Sequence, residues 1–473
     1  MNYKAILFFL GIYSLFVTFF SFLNILYSIY FNFILDLNSY VITLIISLII
    51  GSFFCFVGRK DHKNISLSEQ ITFIILSFII IPLLISIPYF LSIYNIDFLN
   101  SYFESVSGIT TTGFSVIENI QYVDEPLLLW RSSSQWLGGL LFLIAVIGTI
   151  GSKQVKIKPA YLVPGGTLGR NFYNNFDYNF IKILSIYFFS TIFVIFLYKL
   201  TNIRLLDALN LAFTTISSGG FLPTDNLSNI VSTDLQTFTL AITLIFPIFN
   251  FYLLFNIFTN QFVYKNHQED QHLGILIILL TLFFYFVIIP NERIVNVFLA
   301  ITSSISTSGI SIYSSDFDVS LFFILLTIVG GSLISTSSGF KYIRFYILLK
   351  TSYQEIYRLV KPINIFNKNL FNSEAKITDE DSKISFLVFI SFIATVFLLS
   401  SILSFENLSF ENSFKLSILT LTNTTISTLY GLDDLYFFDL TSFTKIFLII
   451  FMILGKIEII AIFLLIRKTI FKE

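Results

Sequence analysis

The sequence predicts an all-α integral membrane protein in which long apolar helices alternate with four copies of one short, hydroxyl-rich segment. Three observations carry that reading. Of the 473 residues, 55% are hydrophobic and 12% charged, with 59 Phe and a mean hydropathy of +0.83, far outside the range of soluble domains. Several apolar runs exceed the roughly 20 helical residues needed to cross about 30 Å of hydrocarbon. Four of the connecting loops share one plan, and self-similarity at a long period changes the reading of a whole chain.

Taken in order, the first run, Ala5 to Tyr30, is too long for a signal-peptide core and has no small-residue cleavage site, so it should remain as a spanning helix. Spanning helices are expected over 4–31, 39–58, 71–94, 127–150, 178–200, 236–263, 273–290, 319–350, 383–404 and 442–467. Ten crossings put both termini on one side. Arg59, Lys60 and Lys63, then Lys153, Lys156, Lys158 and Arg170, then Lys265, then Lys341, Arg344, Lys350, Arg358, Lys361 and Lys368, then Arg467, Lys468 and Lys472 fall in alternate loops or at adjoining helix ends. By the positive-inside rule those loops and both termini are cytoplasmic. The opposite loops lean acidic, with Asp97, Glu118, Asp124, Glu125, Asp225, Asp234, Asp316, Asp318, Asp433, Asp434 and Asp439, a field that favours an arriving cation.

The net charge of −1 and the lack of a basic arm argue against a nucleic-acid partner. A single cysteine, Cys55, rules out an intrachain disulfide. His62, His267 and His272 are scattered, and solvated loops explain them better than a metal site.

The repeated outer segments are "FLNSYFESVSGITTTGFSV" from Phe98, "LLDALNLAFTTISSGGFLPTD" from Leu205, "IVNVFLAITSSISTSGISI" from Ile294 and "FENSFKLSILTLTNTTISTLYGLDD" from Phe410. Each opens with an apolar half too short to cross the bilayer, so a helix that enters and stops halfway is the economical reading. Irregular backbone at membrane depth survives only where protein buries it or water lines it. A bare cation needs oxygens to replace its hydration shell, and backbone carbonyls supply them where glycine allows unusual dihedrals. Four half-helices would also aim their partly negative C-terminal ends at the centre. Each copy therefore reads as one quarter of a cation filter, with Thr112 and Gly113 in the first, Ser218, Gly219 and Gly220 in the second, and Ser308 and Gly309 in the third. Aligning the fourth copy on "LYGLDD" puts Ile426 and Ser427 there. Ordinary outer loops or small-residue helix contacts are the alternative for any one copy. Four copies on the same side favour the filter.

Within the eighth apolar segment, "GGSLISTSSGFKYIRF" gathers Gly330, Gly331 and Gly339 with Ser332, Ser335, Ser337 and Ser338. The helix should break there in mid-membrane, and a polar loop under a filter would be a gate, the alternative being a kinked helix packed through small residues. "LGKIEI" puts Lys456 and Glu458 in the last apolar segment, where charges usually face the interior.

These residues carry a resemblance that covers nearly the whole chain. "YFESVSGITTTG", "WRSSSQWLGGL", "GGSLISTSSGFKYIR" and "MILGKIE" are similar to motifs of the Trk/Ktr/HKT superfamily of potassium transporters, most closely the bacterial Trk membrane subunit. The resemblance implies four helix–pore-loop–helix repeats around a pseudo-fourfold pore, preceded by two extra N-terminal helices. The corresponding boundaries are 1–62 for the N-terminal pair, 63–155 for repeat 1, 156–268 for repeat 2, 269–376 for repeat 3 with the broken helix, and 377–473 for repeat 4. It further implies a bacterial inner-membrane location, a homodimer, a cytoplasmic nucleotide-binding regulatory subunit, K+ or Na+ as the transported ion at the filter residues, and no covalently bound cofactor. The family's filter glycines carry over to Gly113, Gly220 and Gly309, and its gate to Gly330, Gly331, Ser335, Ser338, Gly339 and the last-helix cation, which is Lys456 where the family has arginine. Ser427 stands where a fourth glycine is expected. The chain thus reads as a gated potassium-uptake pore and not an enzyme. A sodium-permeable or poorly selective transporter of the same fold, or a secondary transporter with broken helices, are the alternatives.

Overall fold

A computed structural model describes residues 2–59, 67–151, 176–258, 267–290, 292–312, 319–361, 369–371, 376–406, 408–432 and 435–457. Among them regular structure is helical, apart from one isolated bridge between Asn369 and Lys376. Glu458 and the basic C-terminal residues, His62, and the basic stretch from Lys153 to Arg170 lie outside the described residues.

Helices α1 (Tyr3–Tyr30) and α2 (Leu37–Gly58) form the N-terminal pair, and both are long and apolar enough to cross a membrane. Their axes meet at backbone distance. A Cβ placed on Gly11 would stand 2.8 Å from the backbone nitrogen of Cys55, so only glycine permits this approach. The hairpin is tied to the next connection by Asp36, whose Oδ1 accepts from the Ile93 amide at 3.0 Å.

Helix α3 (Leu67–Leu91) contains Pro82 and Pro88, and each proline removes an intrahelical donor. Side chains occupy the neighbouring carbonyls: the Tyr102 hydroxyl donates to Ile79 O at 3.0 Å, and the Trp130 indole N–H donates to Ile85 O at 3.0 Å. Both bonds fall one residue past the carbonyls of Phe78 and Leu84, whose donors the prolines remove, and they anchor α3 to the elements that carry Tyr102 and Trp130.

Four helices are conspicuously short. α4 (Phe98–Ile109), α7 (Leu205–Ile216), α11 (Ile294–Ile305) and α15 (Phe410–Leu421) have 12 residues each, about 18 Å at 1.5 Å per residue, and cannot span the hydrocarbon. Long partners flank them: α5 (Glu125–Gly151) and α6 (Phe176–Leu200) around the first two, α10 (Gln268–Phe283, continued by a π turn over Phe284–Ile288) before the third, α14 (Asp379–Ser404) and α16 (Ser442–Ile457) around the fourth. The membrane-embedded, all-α architecture read from composition and repeats is the one observed.

Two spanning segments are interrupted. The break in the eighth falls where its glycines predict, between α12 (Ser320–Val329) and α13 (Tyr342–Val360). The sixth was expected as one helix over 236–263, but it divides into α8 (Asp234–Thr243) and α9 (Phe251–Phe258) around Pro247. Nothing in its hydropathy marks that break, because the interrupting residues are themselves mostly apolar. Its reason is tertiary. The two irregular stretches pair with each other, Ser332 N donating to Ile248 O at 2.8 Å, Ser337 N to Pro247 O at 3.2 Å and Phe251 N to Ile334 O at 2.8 Å.

Candidate ion-conduction site

All four half-helices end in the same way. The amide two residues past the last helical residue donates across the terminus to a carbonyl three residues back, as in Thr111 N to Gly108 O at 2.9 Å and Asn423 N to Thr420 O at 3.2 Å. The next amide closes a wider turn, Thr112 N to Ser107 O at 2.9 Å, Gly219 N to Thr214 O at 2.8 Å, Ser308 N to Ser303 O at 3.1 Å and Thr424 N to Leu419 O at 2.9 Å. This double bond pattern is the Schellman cap, and its pivot residue takes a left-handed backbone. The pivots are Thr111 (φ +56°), Ser218 (+57°), Thr307 (+61°) and Asn423 (+49°). Glycine normally fills that position. Two β-branched threonines in it carry strain of about 1–3 kcal/mol each, of a kind that clusters at functional sites.

Two residues past each pivot the four loops meet. A Cβ built on Gly113 would stand 2.9 Å from the Cβ of Thr425 and 3.0 Å from the Cα of Gly220, and one built on Gly309 would stand 2.5 Å from Thr425 O. One on Gly220 would stand 2.7 Å from Ser308 O. Gly113 and Gly309 also have φ of +84° and +70°, which a larger residue resists. Gly113, Gly220 and Gly309 therefore meet around Thr425, with Ser308 O beside Gly220 and Thr112 joined to the fourth loop by Asn423 Nδ2 at 3.0 Å, whereas Gly219 faces the Gln135 side chain and the Ser218 hydroxyl faces Thr336 O.

The fourth quadrant differs from its predicted register. The residue at the same step from its pivot is Thr425, and Ile426 and Ser427 lie beyond the ring, Ser427 leading with extended backbone into a short 3-10 turn at Thr428–Tyr430. Alignment on the downstream "LYGLDD" placed the fourth quadrant two residues too far along. The half-helix end, hidden within a run of threonines, was the correct anchor.

A buried ion pair braces the ring from behind. Arg131 Nε donates to Glu104 Oε1 at 3.0 Å, with both side chains almost wholly enclosed. Glu104 Oε2 accepts from the Val116 amide at 2.9 Å, Oε1 accepts from Ser115 Oγ at 3.0 Å, and the guanidinium lies 4.3 Å from the centre of the Phe221 ring. The pair thus fixes the extended stretch after Gly113 and the residue after Gly220 at once. Gln135 adds to this by accepting from the Phe221 amide at 3.2 Å.

The Gly330–Gly339 stretch packs against the half-helix C-termini. Thr336 Oγ1 donates to Ile216 O at 2.9 Å, Ser218 Oγ donates to Thr336 O at 2.8 Å, and the Ser338 amide donates to Thr307 Oγ1 at 3.0 Å. Lys456 Nζ reaches the same place, donating to Thr111 Oγ1 at 2.6 Å and Ser338 Oγ at 3.0 Å. Lys341 Nζ closes the loop on itself through Ser337 O at 2.6 Å and Ser335 Oγ at 3.1 Å. The Phe142 ring lies 4.5 Å from Lys456 Nζ and 5.2 Å from Lys341 Nζ, a shared cation–π platform for two buried ammonium groups. Gly330 and Gly339 make the turn with φ of +65° and +84°; a Cβ on Gly330 would stand 2.5 Å from Ser338 O. Gly330, Gly331, Ser335, Ser338, Gly339 and Lys456 are thus brought together, next to the ring.

Glu104, Arg131, Phe142, Asn423 and Thr425 were not singled out by the sequence, and Lys341, counted there among the cytoplasmic basic residues, is instead buried because its ammonium is satisfied by Ser335 and Ser337. The rule that flags Lys456, a charge inside an apolar segment, applies equally to Glu104 and Arg131 and would have found them. Outside the bundle, Tyr94 in the α3–α4 connection accepts from the Asp124 amide at 2.8 Å, and burial pushes its hydroxyl up to about 12.

Four half-helices converging on one polar ring inside an apolar helical body define a membrane transport protein. The family model for "TrkH: Cation transport protein" matches residues 36–302. A cation transporter of Methanocaldococcus jannaschii, itself uncharacterized, is 27% identical over 338 residues, covering 67% of this chain and 67% of that protein. The Trk system potassium uptake protein TrkH of Escherichia coli K12 is 22% identical over 448 residues, covering 91% of this chain and 92% of its own. The crystal structure of the potassium transporter TrkH from Vibrio parahaemolyticus superposes with a TM-score of 0.83 at 20% identity, over 99% of each chain. The chain belongs to the TrkH family of cation transport proteins.

Proposed function

We propose that this protein is the membrane-spanning subunit of a potassium-uptake system, passing monovalent cations through the ring formed by its four re-entrant loops and gated by the Gly330–Gly339 stretch with Lys456. The convergence of Gly113, Gly220, Gly309 and Thr425, contributed by loops as far as 312 residues apart, is the observation that carries the reading. Carbonyls of such extended, glycine-permitted backbone can replace a cation's hydration shell. The Trk-system relatives, named as potassium uptake proteins, support potassium as the physiological ion. The basic residues of alternate loops support cytoplasmic termini, and the resemblance to the Trk branch is the ground for proposing an inner-membrane location, a homodimer and a cytoplasmic nucleotide-binding regulator. Expression together with that regulator is expected to restore growth of a bacterium lacking its own potassium uptake at limiting potassium. Failure to grow with both subunits in the membrane overturns the reading.

The bonds that hold the Gly330–Gly339 stretch against Ile216, Ser218 and Thr307, and through Lys456 to Thr111, support its role as an obstruction. Shortening it between Gly331 and Ser338 is expected to raise rubidium uptake several-fold and to weaken dependence on the regulator. Unchanged, regulated uptake by a stably inserted variant would leave only a kinked helix.

A further inference from the structure

Two carboxylates belong neither to the ring nor to the stretch packed against it, yet they reach both interrupted segments. Glu269 and Asp270 lie in the first turn of α10, where the positive end of the helix dipole suits them, and both are buried. Their bonds go to other elements than their own. Glu269 Oε1 accepts from the Leu333 amide, inside the Gly330–Gly339 stretch, at 3.1 Å, and the Ile343 amide, just past that stretch, faces the same carboxylate. Asp270 Oδ1 accepts from the Asn250 amide, in the break between α8 and α9, at 2.8 Å. His267, expected in a solvated loop, is buried as well: its Nδ1 lies 3.6 Å from Asp270 Oδ2 and its Nε2 lies 3.0 Å from Asn256 Nδ2. The start of one helix thus grips both breaks, in addition to the direct bonds that join them at Ile248, Ser332 and Ile334.

We propose that Glu269 and Asp270 are positioning residues of the gate, clasping the Gly330–Gly339 stretch to α10 and so holding it across the ion path. The inference rests on the reading of that stretch as an obstruction. Toward the half-helix ends its tethers are Thr336, Ser338 and Lys456; toward α10 the tether is Glu269, a charged acceptor, and bonds to charged groups are roughly twice as strong as neutral ones. Asp270 acts one step removed. It fixes the Asn250 amide, and the segment that carries Asn250 is the one paired with Ser332 and Ile334, so the two acids restrain a single unit. Cutting a tether of an obstruction frees the path, whereas cutting a bond that serves only stability lowers flux along with folded protein. The direction of the change therefore separates the two roles.

The test measures rubidium uptake by the full chain in proteoliposomes without the regulatory subunit, per unit of inserted protein. Glu269→Ala is expected to raise it about tenfold, equivalent to about 1.4 kcal/mol. Glu269→Gln keeps an acceptor for Leu333 but turns a donor toward Ile343, and is expected to raise uptake about threefold. Should the alanine variant fail to insert, the glutamine variant decides, and uptake at the original rate overturns the proposal. Asp270→Ala is expected to act in the same direction, and Asp270→Asn, which still offers Asn250 an oxygen, to return uptake toward the original rate. Unchanged or lowered uptake by inserted Glu269→Ala overturns the proposal, and equal uptake by Asp270→Ala and Asp270→Asn removes Asp270 from it. The chain shortened between Gly331 and Ser338, in the same vesicles, separates the clasp from the reading beneath it. If shortening raises uptake and the acid variants do not, the stretch obstructs and only the clasp falls. If shortening changes nothing, the obstruction itself falls.

Discussion

Gly113→Val is expected to abolish cation flux while leaving the protein inserted and folded. The residue sits at φ +84°, which costs a non-glycine residue about 1–2 kcal/mol before any contact is counted. A Cβ there would stand 2.9 Å from Thr425 Cβ and 3.0 Å from the Gly220 backbone, so the new side chain must push apart two other quadrants. Backbone from three repeats shifts for one substitution. Because about 1.4 kcal/mol is a factor of ten, displacing the ring by these combined costs should reduce rubidium uptake by well over about tenfold. Gly309→Val, at φ +70° and against Thr425 O, should behave alike. Uptake at the original rate in both variants, at equal protein density, would show that ions do not pass this point.

The largest loss of stability is expected from Arg131→Gln. The substitution leaves Glu104 buried and without its cation, and removing one partner of an enclosed ion pair costs about 3–5 kcal/mol. The double variant Glu104→Gln, Arg131→Gln should be considerably more stable than the single one, since it leaves no uncompensated charge, though it still gives up the brace on Ser115 and Val116. Thermal melting of detergent-solubilised protein distinguishes the two. A single variant that melts with the original protein would mean that water or another cation reaches Glu104.

How much of this was legible beforehand depended on whether the determining interaction was local. The long helices, the four 12-residue half-helices and the break at Gly330 follow from hydropathy, repeat pattern and glycine content, which are properties of short windows. The break around Pro247 was only partly legible: a proline inside a helical run signals a stop or a kink, but the pairing of the opened stretch with Ser332, Ile334 and Ser337 involves residues far away in sequence. The quadrant at Thr425 was missed for a related reason. Its identity is set by the turn that ends α15, and in "TLTNTTIST" any of several hydroxyl residues could have been the pivot. Asn423 was the one available clue, since asparagine tolerates the left-handed backbone that a Schellman pivot requires.

All four quadrants of the ring lie on one polypeptide, and this sets how such a ring can change. A pore assembled from identical subunits repeats every substitution at each position of the ring, so a methyl group introduced toward the axis arrives in every quadrant at once. Here Gly113, Gly220, Gly309 and Thr425 are encoded separately, and a threonine can stand in one quadrant, filling space beside the three glycines, without being repeated in the others. Mutation can therefore adjust the ring in quarter steps, trialling intermediate geometries that a symmetric assembly could reach only by altering every wall together.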